Sequence, residues 1–149
     1  MMATAGVVRA LRAAHLHDAS RQALLQMACD RIRSWGSPYT SVYAYMLHDG
    51  ELVLEAHAGR DTEHVRIPVG AGVCGTAVTE KADQNVPDVT AVGNYLACNA
   101  FTKSELVVLI RRGDHILGQI DIDSDVRDGF GEREHADVKT VADALAVLL

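Results

Sequence analysis

Between residues 104 and 124 the chain runs through Glu105-Leu106-Val107-Val108-Leu109-Ile110-Arg111, turns at Arg112-Gly113-Asp114, and returns from His115 to Asp123. Both arms have the composition of buried strands, and the short glycine-containing turn joins them as antiparallel neighbours. Acids nonetheless stand inside them. In the second arm Gln119, Asp121 and Asp123 alternate with Ile120 and Ile122, so a period of two sends the acids to one face and the isoleucines to the other. The first arm adds Glu105 and carries apolar residues on both faces, the mark of a central strand. An ionised carboxylate is costly to bury, so these acids are expected to line a site rather than decorate a surface.

The rest of the chain supplies layers for such a sheet. A short helix is predicted over residues 7–14. A better one starts at Asp18 or Ser20, where either side chain can cap it, and carries Leu24, Leu25, Ala28, Ile32 and Trp35 at helical spacing until Gly36-Ser37-Pro38 stops it. Cys29 falls beside that apolar stripe and reads as a small buried thiol. Residues 41–47 and 51–57 form two strands about the hairpin turn His48-Asp49-Gly50, with His48 and His57 expected in solvent. Residues 63–68 read as a short strand, Gly70 to Gly75 as a glycine-rich turn, and 76–80 as a short helix. A short extended piece at 85–89 precedes a long irregular loop over 90–102 that holds Cys98. Gly131-Glu132 opens a terminal amphipathic helix through Val138, Val141, Leu145 and Leu148. The expected fold class is therefore α+β: an antiparallel sheet with N- and C-terminal helices packed on one face and a ligand pocket on the other.

Composition narrows the function classes. At 149 residues with 48% hydrophobic content, the sequence is expected to form one domain over 1–149 with a substantial core, not a disordered chain. A net charge of −6 gives no electrostatic footprint for nucleic acid. No apolar run approaches the length of a membrane span, and no secretory signal is recognisable at the N-terminus. Three cysteines, an odd number, argue for reduced thiols and a cytoplasmic location over a disulfide framework.

The glycine-rich run before Thr76 can present backbone N–H groups to an anion, but its spacing matches neither a Walker loop nor a dinucleotide fingerprint. His64, Cys74 and Cys98 invite a metal reading, with Asp121 or Asp123 as a further candidate ligand. Their spacings of 10 and 24 residues match no zinc signature, and no metal or other cofactor is expected. Asp121 and Asp123, two apart on one strand face, can crowd with Glu105 so that at least one holds a proton near neutrality. The plain alternative pairs Asp121 with Arg66 or Arg111.

Taken together, Arg66-Ile67-Pro68, Gly72-Val73-Cys74-Gly75-Thr76-Ala77, Ala97-Cys98-Asn99, Ser104-Glu105-Leu106-Val107 and Asp121-Ile122-Asp123-Ser124 resemble a GAF domain. Within that superfamily the second half is similar to the free methionine-(R)-sulfoxide reductases. The resemblance implies a cytoplasmic oxidoreductase in which Cys98 is the nucleophile and Cys74 a second cysteine of the site. Glu105, Asp121 and Asp123 then hold and protonate the sulfoxide, and Tyr45 stays at the substrate pocket. It also implies free methionine sulfoxide or a similar small polar ligand, a thioredoxin-like or small-thiol reductant, and a homodimer. The sequence departs from the family at His64, where a third, resolving cysteine usually stands, and at Ser41 and Ala44, where the family has tryptophan and phenylalanine. With His64 there, either Cys74 or an external thiol would resolve the sulfenic acid. The alternative is a non-catalytic GAF module that binds a small ligand or senses redox state, with metal binding as a variant of it.

Overall fold

The structure, a computed structural model, describes residues 2–93, 95–96 and 100–149. Two helices come first, α1 (Met2–Leu16) and α2 (Arg21–Arg33). The first is longer than residues 7–14, because the alanines and arginines around Val7 and Leu11 are strong helix formers. Ser20 caps α2, its Oγ accepting from the Ala23 N–H at 3.1 Å, while Asp18 takes a positive φ of 63° in the turn between the helices.

Strands β1 (Ser41–His48) and β2 (Glu51–Ala58) follow, joined by Asp49 and Gly50 at φ 48° and 81°. Those are the two left-handed positions that an Asp-Gly hairpin turn requires. Strand β3 is confined to Arg66–Pro68, shorter than 63–68, because Val65 N donates to Glu63 O at 3.0 Å and folds the approach into a tight turn. Helix α3 spans Gly72–Glu80 and so takes in residues expected in a turn. The reason lies at Gly75: a Cβ there would stand 2.7 Å from Pro68 O and 2.8 Å from Gly70 N. Glycine is thus required inside this helix by the backbone beneath it, not as a helix breaker. Strand β4 (Gln84–Val86) and a 3-10 turn (Val89–Ala91) lead to β5 (Ser104–Arg112), β6 (His115–Ser124) and α4 (Glu132–Leu148).

The strands form one six-stranded antiparallel sheet in the order β3-β2-β1-β6-β5-β4. The α+β architecture with terminal helices on one face is what the sequence predicts. Val42, Ala44 and Met46 of β1, Leu106, Val108 and Ile110 of β5, and Ile120 and Ile122 of β6 pack with α1, α2 and α4 in the main core. Residues of the opposite parity, among them Tyr43, Tyr45, Val107 and Leu109, face α3 and form a second, smaller core with Val73, Cys74, Ala77 and Val78. Alternation therefore divides each central strand between a helix-packed face and an α3 face. No helix is long and apolar enough to cross a membrane among the described residues.

The centre of the sheet is tightest where β6 passes β1 at Gly118, opposite Met46. A Cβ at that position would stand 2.3 Å from Tyr45 O and 2.7 Å from Met46 Sδ. Gly118→Ala is expected to lower stability by about 1–3 kcal/mol through overpacking, read as a reduced urea midpoint with unchanged slope. A midpoint equal to the parent's would show that β1 and β6 can separate at no cost.

Candidate functional site

On β6 the alternation turns Gln119, Asp121 and Asp123 toward α3, as the sequence pattern requires. Pairing sets their neighbours. Asp121 stands between Tyr43 of β1 and Val107 of β5, and Asp123 is directly opposite Glu105. Like charges placed opposite one another across a ladder repel, and here they are also desolvated. Glu105 is 4% exposed, Asp121 2% and Asp123 2%. Cys74, on the first turn of α3, lies over the same patch, and Gln119 Nε2 fixes that turn by donating to Cys74 O at 3.0 Å. The Cys74 Sγ to Glu105 Oε2 distance is 3.9 Å, and Cys74, Glu105 and Asp121 each offer a polar atom within 4.8 Å of the other two.

Electrostatics follow from this crowding. Burial pushes the Asp121 carboxyl above its ordinary range, partly offset by hydrogen bonds with Glu105 and Cys74. The raised direction at Asp121 favours its protonated form beside Glu105. Burial, and then the nearby charges of Asp121 and Glu105, drive the Cys74 thiol well above its usual value. Cys74 is accordingly held as a thiol. One oxygen of Asp121, Oδ1, is buried with no hydrogen-bond partner among the described residues.

A small cleft, with about 10 Å³ open to a water-sized sphere, opens onto this cluster, lined by Tyr45, His64, Ile67, Gly72, Val73, Cys74, Leu96, Glu105 and Asp121. Tyr45 is fully buried and its hydroxyl donates to His64 O at 2.7 Å, while Tyr43 donates to Arg60 O at 2.8 Å. These two bonds hold the segment after β2 against the sheet. A wider surface groove near the C-terminal end of α2, lined by Asp30, Arg33, Tyr39 and Thr40 among others, gathers no thiol.

Of the sequence-expected site residues, Cys74, Glu105, Asp121 and Tyr45 meet at one cleft, and Asp123 lies next to them across the ladder. Cys98 lies outside the described residues. The pairing of Asp121 with an arginine is not found among the described residues. Arg66 reaches Glu51 at 3.5 Å on the exposed edge, and Arg111 reaches Asp114 at 3.6 Å. Cys29 is on α2, in the core on the far side of the sheet, its thiol pushed up to about 12 by burial and by Asp30. His48 and His57 bond the exposed-edge acids Glu55 and Asp61 at 2.7 and 3.0 Å. Sequence reasoning missed Gln119 as the residue that seats Cys74, although its parity with Asp121 was visible. Ile67, Val73 and Leu96 as cleft walls had no such signal, because they are brought in by the path of the backbone around α3.

The GAF domain pattern matches residues 18–149. The free methionine-R-sulfoxide reductase of Escherichia coli (strain K12) is 37% identical over 105 residues, which are 70% of this chain and 63% of that protein. Among solved structures, the type II free methionine-R-sulfoxide reductase from Thermoplasma acidophilum superposes with a TM-score of 0.83 at 38% identity, over 86% of this chain and 91% of that one. The fRMsr of Staphylococcus aureus, solved in complex with substrate, superposes with a TM-score of 0.88 at 30% identity, over 99% and 94%. The chain spans only about six-tenths of the length of the first curated relatives it matches.

The raised Asp121 carboxyl has a signed consequence for stability. Below about pH 4 both folded and unfolded chains carry its proton; above that, the unfolded carboxyl ionises first. The folded state then binds more protons, so this group's contribution to stability falls as pH rises from about 4 toward the raised folded value. Asp121→Asn removes the titration, and its urea midpoint is expected to gain on the parent's across that window. Parallel midpoint curves from pH 4 to 8 would contradict the shift.

Proposed function

This chain belongs to the GAF domain family, and from that premise we propose that it reduces free methionine-R-sulfoxide to methionine. The observation that carries the reading is the buried cluster of Glu105, Asp121 and Cys74 on the wall of the cleft. Sulfoxide reduction needs a thiolate to attack sulfur and an acid to deliver a proton to the departing oxygen. A carboxyl kept protonated by burial is such an acid, and an ionised neighbour suits the substrate's ammonium group. The N-terminal turn of α3, Gly72 to Cys74, has no side-chain cap and lines the cleft, so its backbone N–H groups suit the substrate's carboxylate.

The state of Cys74 argues for a division of labour between the two thiols. A thiol held protonated is a poor nucleophile, so the first attack falls to Cys98 on the strength of its sequence match. In that step the sulfoxide oxygen passes to the Cys98 sulfur, giving a sulfenic acid, and methionine leaves as the thioether. The thiol of a second cysteine then condenses with the sulfenic acid, forming a disulfide and releasing water. Cys74 is suited to that second step because the carboxyl pair, having given up its proton, can take the one Cys74 must lose. His64 occupies the place of the family's third cysteine. A thioredoxin-like protein or small thiol then returns the site to its reduced state. The same departure favours, as a second reading, a small-ligand-binding module that retains the acids without turnover.

Incubating the reduced protein with free methionine-(R)-sulfoxide and no added reductant distinguishes these. About one methionine released per chain with loss of two thiols is expected if Cys74 resolves Cys98. One methionine with a single thiol lost would mean resolution by an outside thiol. Cys98→Ser should abolish methionine formation, and Cys29→Ser, on the far side of the sheet, should leave it intact. No methionine from the parent protein would remove the reductase reading in favour of ligand binding.

A further inference from the structure

We propose that Cys74, Glu105 and Asp121 form a binding site for one divalent transition-metal ion, zinc by the chemistry of its donors. The ligand set comes from three separately anchored elements, α3, β5 and β6. Each residue supplies one donor atom, and the three atoms lie within 4.8 Å of one another. The Cys74 Sγ to Glu105 Oε2 separation of 3.9 Å compares with roughly 3.5 Å expected between sulfur and oxygen on a tetrahedral zinc ion. For that pair the shell closes with a shift of about 0.4 Å. Asp121 supplies the independent sign of a missing ligand: it is 2% exposed, it lines the cleft, and its Oδ1 has no hydrogen-bond partner among the described residues. A metal cation would satisfy that oxygen and the neighbouring Glu105 and Cys74 donors together.

The donor types choose among cations. Calcium and magnesium call for six or more oxygens, which a thiolate and two carboxylates do not provide. A mixed sulfur and oxygen set suits a borderline ion such as zinc, and the fourth position faces the cleft, where water or an incoming small molecule can complete it. Binding stands independently of the reductase reading. Inhibition rests on it: the ion would displace the Asp121 proton and occupy the groups assigned to the sulfoxide, so metal and substrate would exclude each other.

Cobalt(II) makes the site visible. Titrating the intact, reduced protein with Co²⁺ is expected to give a thiolate-to-cobalt charge-transfer band that saturates at one equivalent and is bleached by Zn²⁺. The band should persist in Cys98→Ser and vanish in Cys74→Ala, and Asp121→Asn should weaken binding by at least about tenfold, the lower end of the loss when even an outer partner is removed. X-ray absorption on the zinc-loaded parent protein needs no variant and should show a single sulfur ligand. No charge-transfer band, or a zinc shell with no sulfur or with two, would overturn the proposal. Methionine formation measured alongside separates the two readings. A chain that binds cobalt but makes no methionine when metal-free keeps this site and loses the reductase. An active chain that gives no charge-transfer band with Co²⁺ loses the site and keeps the reductase.

Discussion

The constraint on which this structure turns is the burial of acids beside a thiol on one face of a sheet. Glu105, Asp121, Asp123 and Cys74 are each 5% exposed or less, and no arginine or lysine forms an ion pair with Asp121 among the described residues. At Asp121, with no such ion pair, burial favours the protonated form. Burial raises both the Asp121 carboxyl and the Cys74 thiol, favouring the neutral form of each. The arrangement costs stability relative to an apolar strand pair, and sites of this kind are where local rules of burial are broken for function.

The rest of the fold absorbs that cost. The isoleucines that alternate with the acids on β6 pack into the larger core with α1, α2 and α4, and every residue of the strand from Gly118 to Ser124 is buried. The helix layer supplies the apolar burial, and the α3 face is left free to be polar. α4 is secured at its start by Glu134 Oε1, which accepts from the Gly131 N–H at 2.9 Å, and Phe130 just before it enters the core. One face holds the sheet together while the other carries the chemistry.

How much of this was legible in the sequence depended on range. Period-two alternation at 119–123, the Asp-Gly hairpin and the apolar stripe of α2 are local signals, and each gave its element and its face. Tertiary contact hid the rest. Gly75 reads as a breaker until the backbone at Pro68 and Gly70 is seen beneath it, so the start of α3 was misplaced by four residues. The choice between an arginine partner for Asp121 and a proton held beside Glu105 was equally closed to sequence reasoning. Parity put all three acids on one face, but only the β5–β6 register set Glu105 opposite Asp123 and diagonal to Asp121.

The same environment that makes a carboxyl useful as an acid disables the nearest thiol as a nucleophile. A low dielectric raises both groups, since each ionises to an anion. A site built around a protonated carboxyl therefore cannot also activate a cysteine packed against it at rest, and Cys74 is in that position with its sulfur 3.9 Å from Glu105. An attacking thiolate has to come from a segment outside the acid cluster and meet the substrate from another side. Loops are the segments that can do this, because their side chains are not committed to the sheet's alternation. In sequence Cys98 falls between β4 and β5, and the proposed reduction assigns it the attacking role for that reason.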